Sequence, residues 1–181
     1  MSKAFTKESD EGSFDEVIPE PKDLLPPGVK NYVTPEGAEA LRAELKRLEE
    51  VVRPQAVQAK KGKKTAAPVG GESLSPKTRL AAIDRRILFL RDRVGNMVVV
   101  DPKSQEQDSV HFGATVSVAD VDGNERVYKI VGVDESDPSQ GRISFISPIG
   151  KALISAREGD AVRLELPDGT IELEVLEIEY V

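Results

Sequence analysis

The chain contains no cysteine, which excludes disulfides and thiolate metal sites. It has no tryptophan, and aromatics make up 4% of its residues, so any core is built mainly from aliphatic side chains. A single histidine, His111, excludes a His-rich metal centre. No run of 18 apolar residues occurs, and the first residues carry no apolar signal core. These absences point to a cytoplasmic protein with no membrane contact.

What is present is unevenly charged. The 181 residues carry a net −7. Residues 1–33 hold four Lys/Arg against seven Asp/Glu, residues 34–100 fourteen against eight, and residues 101–181 seven against seventeen. A basic middle is thus joined to an acidic C-terminal part. A simple nucleic-acid binder would be basic throughout. The asymmetry fits a protein that touches a large partner at two places of opposite charge.

Residues 1–30 read as a disordered acidic tail, with Pro19, Pro21, Pro26 and Pro27 and no apolar period. Thr34-Pro35 then opens a helix: threonine caps the free N–H groups and proline suits the first helical position. Leu41, Leu45, Leu48 and Val52 follow at spacings 4, 3, 4, with Ala56 and Ala59 continuing the seam. Pro54 should kink this helix, and Gly62 should stop it. Ser75-Pro76 opens a second helix with the seam Leu80, Ile83, Ile87, Leu90, Val94 and Met97. Two seams of similar length imply an antiparallel coiled-coil hairpin over 31–100, a rod of about 35–40 Å with its tip at 62–75. Two helices in intermolecular coiled coils are the alternative, but one chain already supplies both halves, so a monomer is expected.

Beyond Val98 the period becomes 2. Strands are expected at 115–118, 126–133, 141–146, 161–166 and 170–180, with hairpin turns at Asp122-Gly123 and Asp168-Gly169. Ser147-Pro148 should open a short helix through Ala156, with Ala152 and Leu153 inward. The C-terminal part, 101–181, is therefore a twisted antiparallel sheet with one helix, and the whole chain is α+β.

In this order the segments resemble the bacterial Gre transcript-cleavage and elongation factors, GreA and GreB. The matching residues are Tyr32-Val33-Thr34-Pro35-Glu36-Gly37, Leu45-Lys46-Arg47-Leu48, Arg53-Pro54, and Arg79-Leu80 followed by Ile83-Asp84-Arg85-Arg86-Ile87. Further on they are Phe112-Gly113-Ala114, Ser147-Pro148, Ala152-Leu153, Gly159-Asp160 and the ending Ile178-Glu179-Tyr180-Val181. Arg53-Pro54 and 83–87 are most similar to the GreB branch. The resemblance implies an FKBP-like C-terminal domain docked on the rim of the secondary channel of RNA polymerase. It implies a hairpin reaching toward the polymerase active site, near nascent RNA or DNA. In the family, two tip acids in a D-x-x-E-N-like pattern help hold a second magnesium ion of the polymerase, which then cleaves its own backtracked RNA. The chain would be an accessory factor with no cofactor of its own. By the same resemblance, Ser147 and Pro148 would contact the channel rim.

The tip departs from that pattern. Counting back from Ile83-Asp84-Arg85-Arg86, the acid positions fall on Ala66 and Val69, and the asparagine position on Gly70. Counting forward from Arg53-Pro54 moves the first to Pro68. Glu72 is the one acid of the loop, beside Lys60, Lys61, Lys63 and Lys64. Those lysines oppose a divalent cation, so stimulation of cleavage should be weak or lost. They are either a solvated charge run or a surface for phosphates or acidic polymerase residues. Elsewhere, His111 reads as structural, and Asp134-Glu135-Ser136-Asp137 as a solvated turn without calcium-loop spacing. Three other functions stand beside the leading one. They are a full cleavage factor using Glu72 with a polymerase acid, a metabolic regulator acting through another partner, and a peptidyl-prolyl isomerase. The last would have to use Phe112, Tyr128, Phe145 and Tyr180.

Overall fold

In the computed structural model, residues 22–61, 75–166 and 169–180 are described. Strand β1 (Asn31–Val33) leads into helix α1 (Pro35–Arg47), a π-helical stretch (Leu48–Val52) and helix α2 (Arg53–Lys61). Helix α3 (Pro76–Asn96) packs back along them and ends in strand β2 (Met97–Val99), which pairs in parallel with β1. The strand before the first helix and the strand after α3 therefore lie together. The last turn of α2 and the first turn of α3 lie at the opposite end.

Both caps form as expected. The Thr34 hydroxyl accepts from Gly37 N–H at 3.0 Å, and the Ser75 hydroxyl accepts from Thr78 N–H at 3.2 Å. Leu41, Leu48, Ile83, Ile87 and Leu90 are buried between the helices, and Leu45, Val52, Leu80 and Val94 are half-buried against them. Met97 lies in β2 rather than in the helix, since α3 stops at Asn96 just beyond Gly95.

Pro54 acts differently from a simple kink. It has no N–H for the carbonyl four residues back, and its ring would strike that carbonyl in a regular α-helix. The preceding turn widens instead: Arg53 N–H donates to the Leu48 carbonyl, five residues back. The extra residue in that turn shifts the apolar face. Ala56 is buried, but Ala59, expected on the same seam, is exposed.

The C-terminal part holds a five-stranded sheet in the order β5-β4-β3-β7-β6. Its strands are β3 (Thr115–Asp120), β4 (Glu125–Val131), β5 (Arg142–Ser144), β6 (Ala161–Leu166) and β7 (Gly169–Glu179). The β3–β4 hairpin turns at Asp122-Gly123, where Gly123 takes φ +79° and its N–H reaches the Asp120 carbonyl. β5 pairs with β4 in parallel, so the sheet is mixed rather than wholly antiparallel. Two 3-10 turns, Val133–Glu135 and Pro138–Gln140, take the chain back along the sheet edge before it re-enters. Helix α4 (Pro148–Leu153) stops three residues short of Ala156; Leu153 is fully buried and Ala152 half-buried. Val110, Val116, Val118, Ile130, Leu153 and Val175 form the centre of this core.

Candidate functional site

Three features of this chain could carry its function: the junction between the helical pair and the sheet, the turn that opens α4, and the far end of the helices.

The junction is built on Thr34. Its side chain caps α1, and the same residue is held from the other part of the molecule by Glu135. The Glu135 carboxylate accepts Thr34 N–H at 3.0 Å, the Thr34 hydroxyl, and Gly132 N–H at 3.1 Å. Glycine is needed at two places here. A Cβ on Gly37 would lie 2.1 Å from the Glu135 carboxyl group, and one on Gly132 would lie 2.4 Å from the Tyr32 carbonyl oxygen. Beside it, Arg93 is 5% exposed and pairs with Asp23 at 2.8 Å and Asp134 at 3.4 Å. Its guanidinium also lies 4.9 Å from the centre of the Phe89 ring. Asn31 Nδ2 donates to Asp134 at 3.4 Å. Burial pushes the Asp134 carboxyl above its ordinary range, and the Arg93 charge opposes that shift. Tyr32, Phe112 and Phe145 close the apolar side, with ring centres 5.7–5.9 Å apart.

This network corrects two expectations. Asp134 and Glu135 are half-buried partners of the helical part, not members of a solvated turn. The proposed tail 1–30 also divides: residues 22–30 form no helix or strand, yet Asp23 is tied to Arg93, while 1–21 lie outside the described residues. The groove along the junction, about 540 Å³, has charged walls that are mutually satisfied. Lys129 pairs with Glu36 at 3.2 Å and Arg86 with Glu44 at 2.8 Å. The Thr34 hydroxyl in its wall is engaged between the Glu135 carboxylate and the Gly37 N–H.

At the α4 turn, the Ser147 hydroxyl donates to the Ser144 carbonyl at 2.6 Å and accepts Gly150 N–H at 3.1 Å. Its hydrogen-bonding capacity is spent on the turn, so Ser147 acts as the cap. The ring of Pro148 at the first helical position is exposed. Gly150 permits the fold-back, since a Cβ there would meet the Ser144 carbonyl oxygen at 2.2 Å.

At the far end, Lys60 is exposed on the last turn of α2, and Lys61 ends that helix. Gly62, Lys63, Lys64, Ala66, Val69 and Glu72 lie outside the described residues, as does Asp168 of the last hairpin turn. Among the described residues, Glu106, Asp108 and His111 are the one cluster with metal-ligand atoms within 4.8 Å of each other. Asp108 is already paired with Arg157 at 3.2 Å, and His111 Nε2 lies 3.2 Å from the Ser109 hydroxyl. His111 N–H also donates to the Tyr180 hydroxyl, which donates in turn to the Ser109 carbonyl. No described helix is long and apolar enough to cross a membrane.

The junction was missed at the sequence level because its members are spread over more than 100 residues. Thr34-Pro35 signalled only the helix start. Gly37 in the first turn of a helix and Gly132 at a strand end were the available clues to a close approach.

The chain is similar to known proteins along most of its length. A family model described as "Transcription elongation factor, GreA/GreB, C-term" matches residues 104–180. Transcription elongation factor GreB of Neisseria meningitidis is 47% identical over 158 residues, covering 84% of this chain and 95% of that protein. Transcription elongation factor GreA of Hyphomonas neptunium is 40% identical over 151 residues, covering 82% and 96%. The crystal structure of GreA factor homolog 1 of Thermus thermophilus is 27% identical, with 83% of this chain and 99% of that chain covered and a TM-score of 0.35.

Proposed function

The chain belongs to the GreA/GreB family of transcription elongation factors, and from that premise we propose that it binds RNA polymerase and inserts its helical pair into the secondary channel. In this reading residues 31–100 are a coiled-coil hairpin and residues 101–181 an FKBP-like domain. The exposed ring of Pro148, held out by the Ser147 cap, meets the channel rim. The observation that carries the proposal is the helical pair itself. Its two outer ends are stapled together by β1 and β2 and pinned to the sheet by Glu135, so the last turn of α2, with the exposed Lys60, is presented at the opposite end.

Stimulation of RNA cleavage by this chain is weak. The magnesium ions belong to the polymerase, and the protein's part would be to offer carboxylate oxygens to one of them. Ala66 and Val69 offer none, and the lysines at 60, 61, 63 and 64 disfavour a cation nearby. Glu72 alone does not make a pair. The lysines instead face phosphates of RNA or acidic walls of the channel.

The packing speaks against peptidyl-prolyl isomerisation. Phe112 and Phe145, which would line such a pocket, are packed against Tyr32, and the Tyr180 hydroxyl is engaged at Ser109 and His111.

A pull-down with core RNA polymerase tests binding. Retention of the wild-type chain, weakened by Pro148→Ala, is the expected result. Complete failure of the wild-type chain to bind would overturn the proposal.

A further inference from the structure

Among the described residues, the helical pair leaves Val51 47% exposed and Leu88 more open still. Leu88 on α3 is 70% exposed. With Ile87 it floors a groove of about 490 Å³, rimmed by the ion pairs Arg53–Asp84 at 2.7 Å and Arg91–Glu49 at 2.6 Å. Each guanidinium carries five donors, so each can take a second carboxylate while keeping its first.

The chain itself supplies a segment of matching chemistry. Residues 1–21 carry two lysines and six acids, against the net +6 of residues 34–100. Within that segment Ser13 precedes Phe14, Asp15, Glu16, Val17 and Ile18, and Pro19 ends the run. Phe14, Val17 and Ile18 stand at i, i+3 and i+4, with the acids Asp15 and Glu16 between them in sequence.

The tether is short enough. Asp23 is bonded to Arg93 at 2.8 Å, and Arg93 lies five residues from Leu88, about 7.5 Å along α3. Val17 is six residues before Asp23, a reach of up to about 20 Å. Held this close, the segment has an effective concentration on the order of millimolar, so even a weak docking is populated.

We propose that the acidic segment at residues 13–20 docks across this groove. It seats its Phe14, Val17 and Ile18 cluster on Leu88 and gives Asp15 and Glu16 to Arg53 and Arg91. The docked segment covers part of the rod, so docking competes with insertion into a channel. That consequence rests on the proposed function; the docking does not.

The absence of cysteine makes a direct test possible in the full chain. Val17→Cys combined with Leu88→Cys is exposed to mild oxidant, and intramolecular disulfide is read by non-reducing electrophoresis and mass spectrometry. The control is Val17→Cys with Val127→Cys, an exposed site on β4. The expected result is closure about tenfold faster at Leu88 than at Val127. Salt at about 1 M should slow closure at Leu88, as should Asp15→Asn with Glu16→Gln. Circular dichroism confirms that the variants remain folded. Equal rates at the two sites would overturn the proposal. Disulfide-linked dimers alone would also overturn it, by giving the groove to a second copy. Polymerase is absent from the experiment, so its outcome is independent of the polymerase-binding test.

Discussion

Glu135 ties the start of the first helix to the chain that follows β4. Its carboxylate takes three donors from two distant parts of the chain, two of them backbone N–H groups. Glu135→Ala leaves those donors without a partner in a half-buried place. The expected cost is about 1–3 kcal/mol, read from denaturant midpoints. Gly37 tests the same contact from the other side. Alanine is normally favoured over glycine within a helix by about 1 kcal/mol. Here the added methyl collides with a carboxyl group that three bonds hold in place, so Gly37→Ala should destabilise the wild-type chain. In the Glu135→Ala background the obstacle is gone, and the same substitution should stabilise. A double-mutant cycle measures that reversal of sign; additive effects would contradict it.

Asp134 gives the junction a dependence on pH. Burial raises its folded pKa above the ordinary 3.8, with Arg93 working against the shift. A carboxyl raised in this way binds its proton sooner in the folded chain than in the unfolded one. Stability then increases as pH falls through that window, and the penalty is felt in full at neutral pH. Asp134→Asn abolishes the titration. In paired urea titrations the wild-type chain should gain on the variant as pH is lowered from about 7 toward about 4. A wild-type chain that instead loses ground over that range would contradict this reading.

At the scale of elements, the two faces of α3 should answer very differently to substitution. Leu90 is fully buried between the helices, and Leu90→Ala should cost about 2–5 kcal/mol. Leu88→Ala, two residues away, should change stability by less than about 0.5 kcal/mol. Thermal denaturation of the two variants separates them, and similar losses would mean the seam is misassigned. The widened turn at Leu48–Val52 has its cause in Pro54.

Much of this level is legible in the sequence. Thr34-Pro35 and Ser75-Pro76 mark both helix starts, because a hydroxyl acceptor and a proline satisfy local needs. Leu80, Ile83, Ile87 and Leu90 keep their spacing because burial imposes it. Asp122-Gly123 marks its hairpin because the turn demands a positive φ. Other features depend on distant partners. β1 and β2 are three residues each, too short to show a period, and they pair across more than 60 positions. β5 is equally short, so nothing local distinguishes a parallel from an antiparallel neighbour. The loss of Ala59 from the seam follows from a change of helix type, which apolar spacing alone does not encode. Asp134 and Glu135 look like a solvated turn until the helical part is placed against them.

At the scale of the whole molecule, the charge asymmetry and the architecture agree. The basic residues lie mainly on the helical pair, and the acidic ones on the part that holds the sheet. β1, β2 and the Glu135 contact fix where the helical pair leaves the sheet. A lever held in this way can deliver its far end to a defined depth in a partner. In the proposed function, what it delivers departs from the pattern that the resemblance implies, with Ala66 and Val69 at the positions of the acids and lysines nearby in sequence. Binding and cleavage should therefore separate, with the first retained and the second diminished.

That separation is measured by following RNA length in a stalled, backtracked polymerase complex that has captured the full-length chain. The expected result is stable retention of the protein with RNA that stays largely full length. Rapid shortening of the RNA in the captured complex would contradict it.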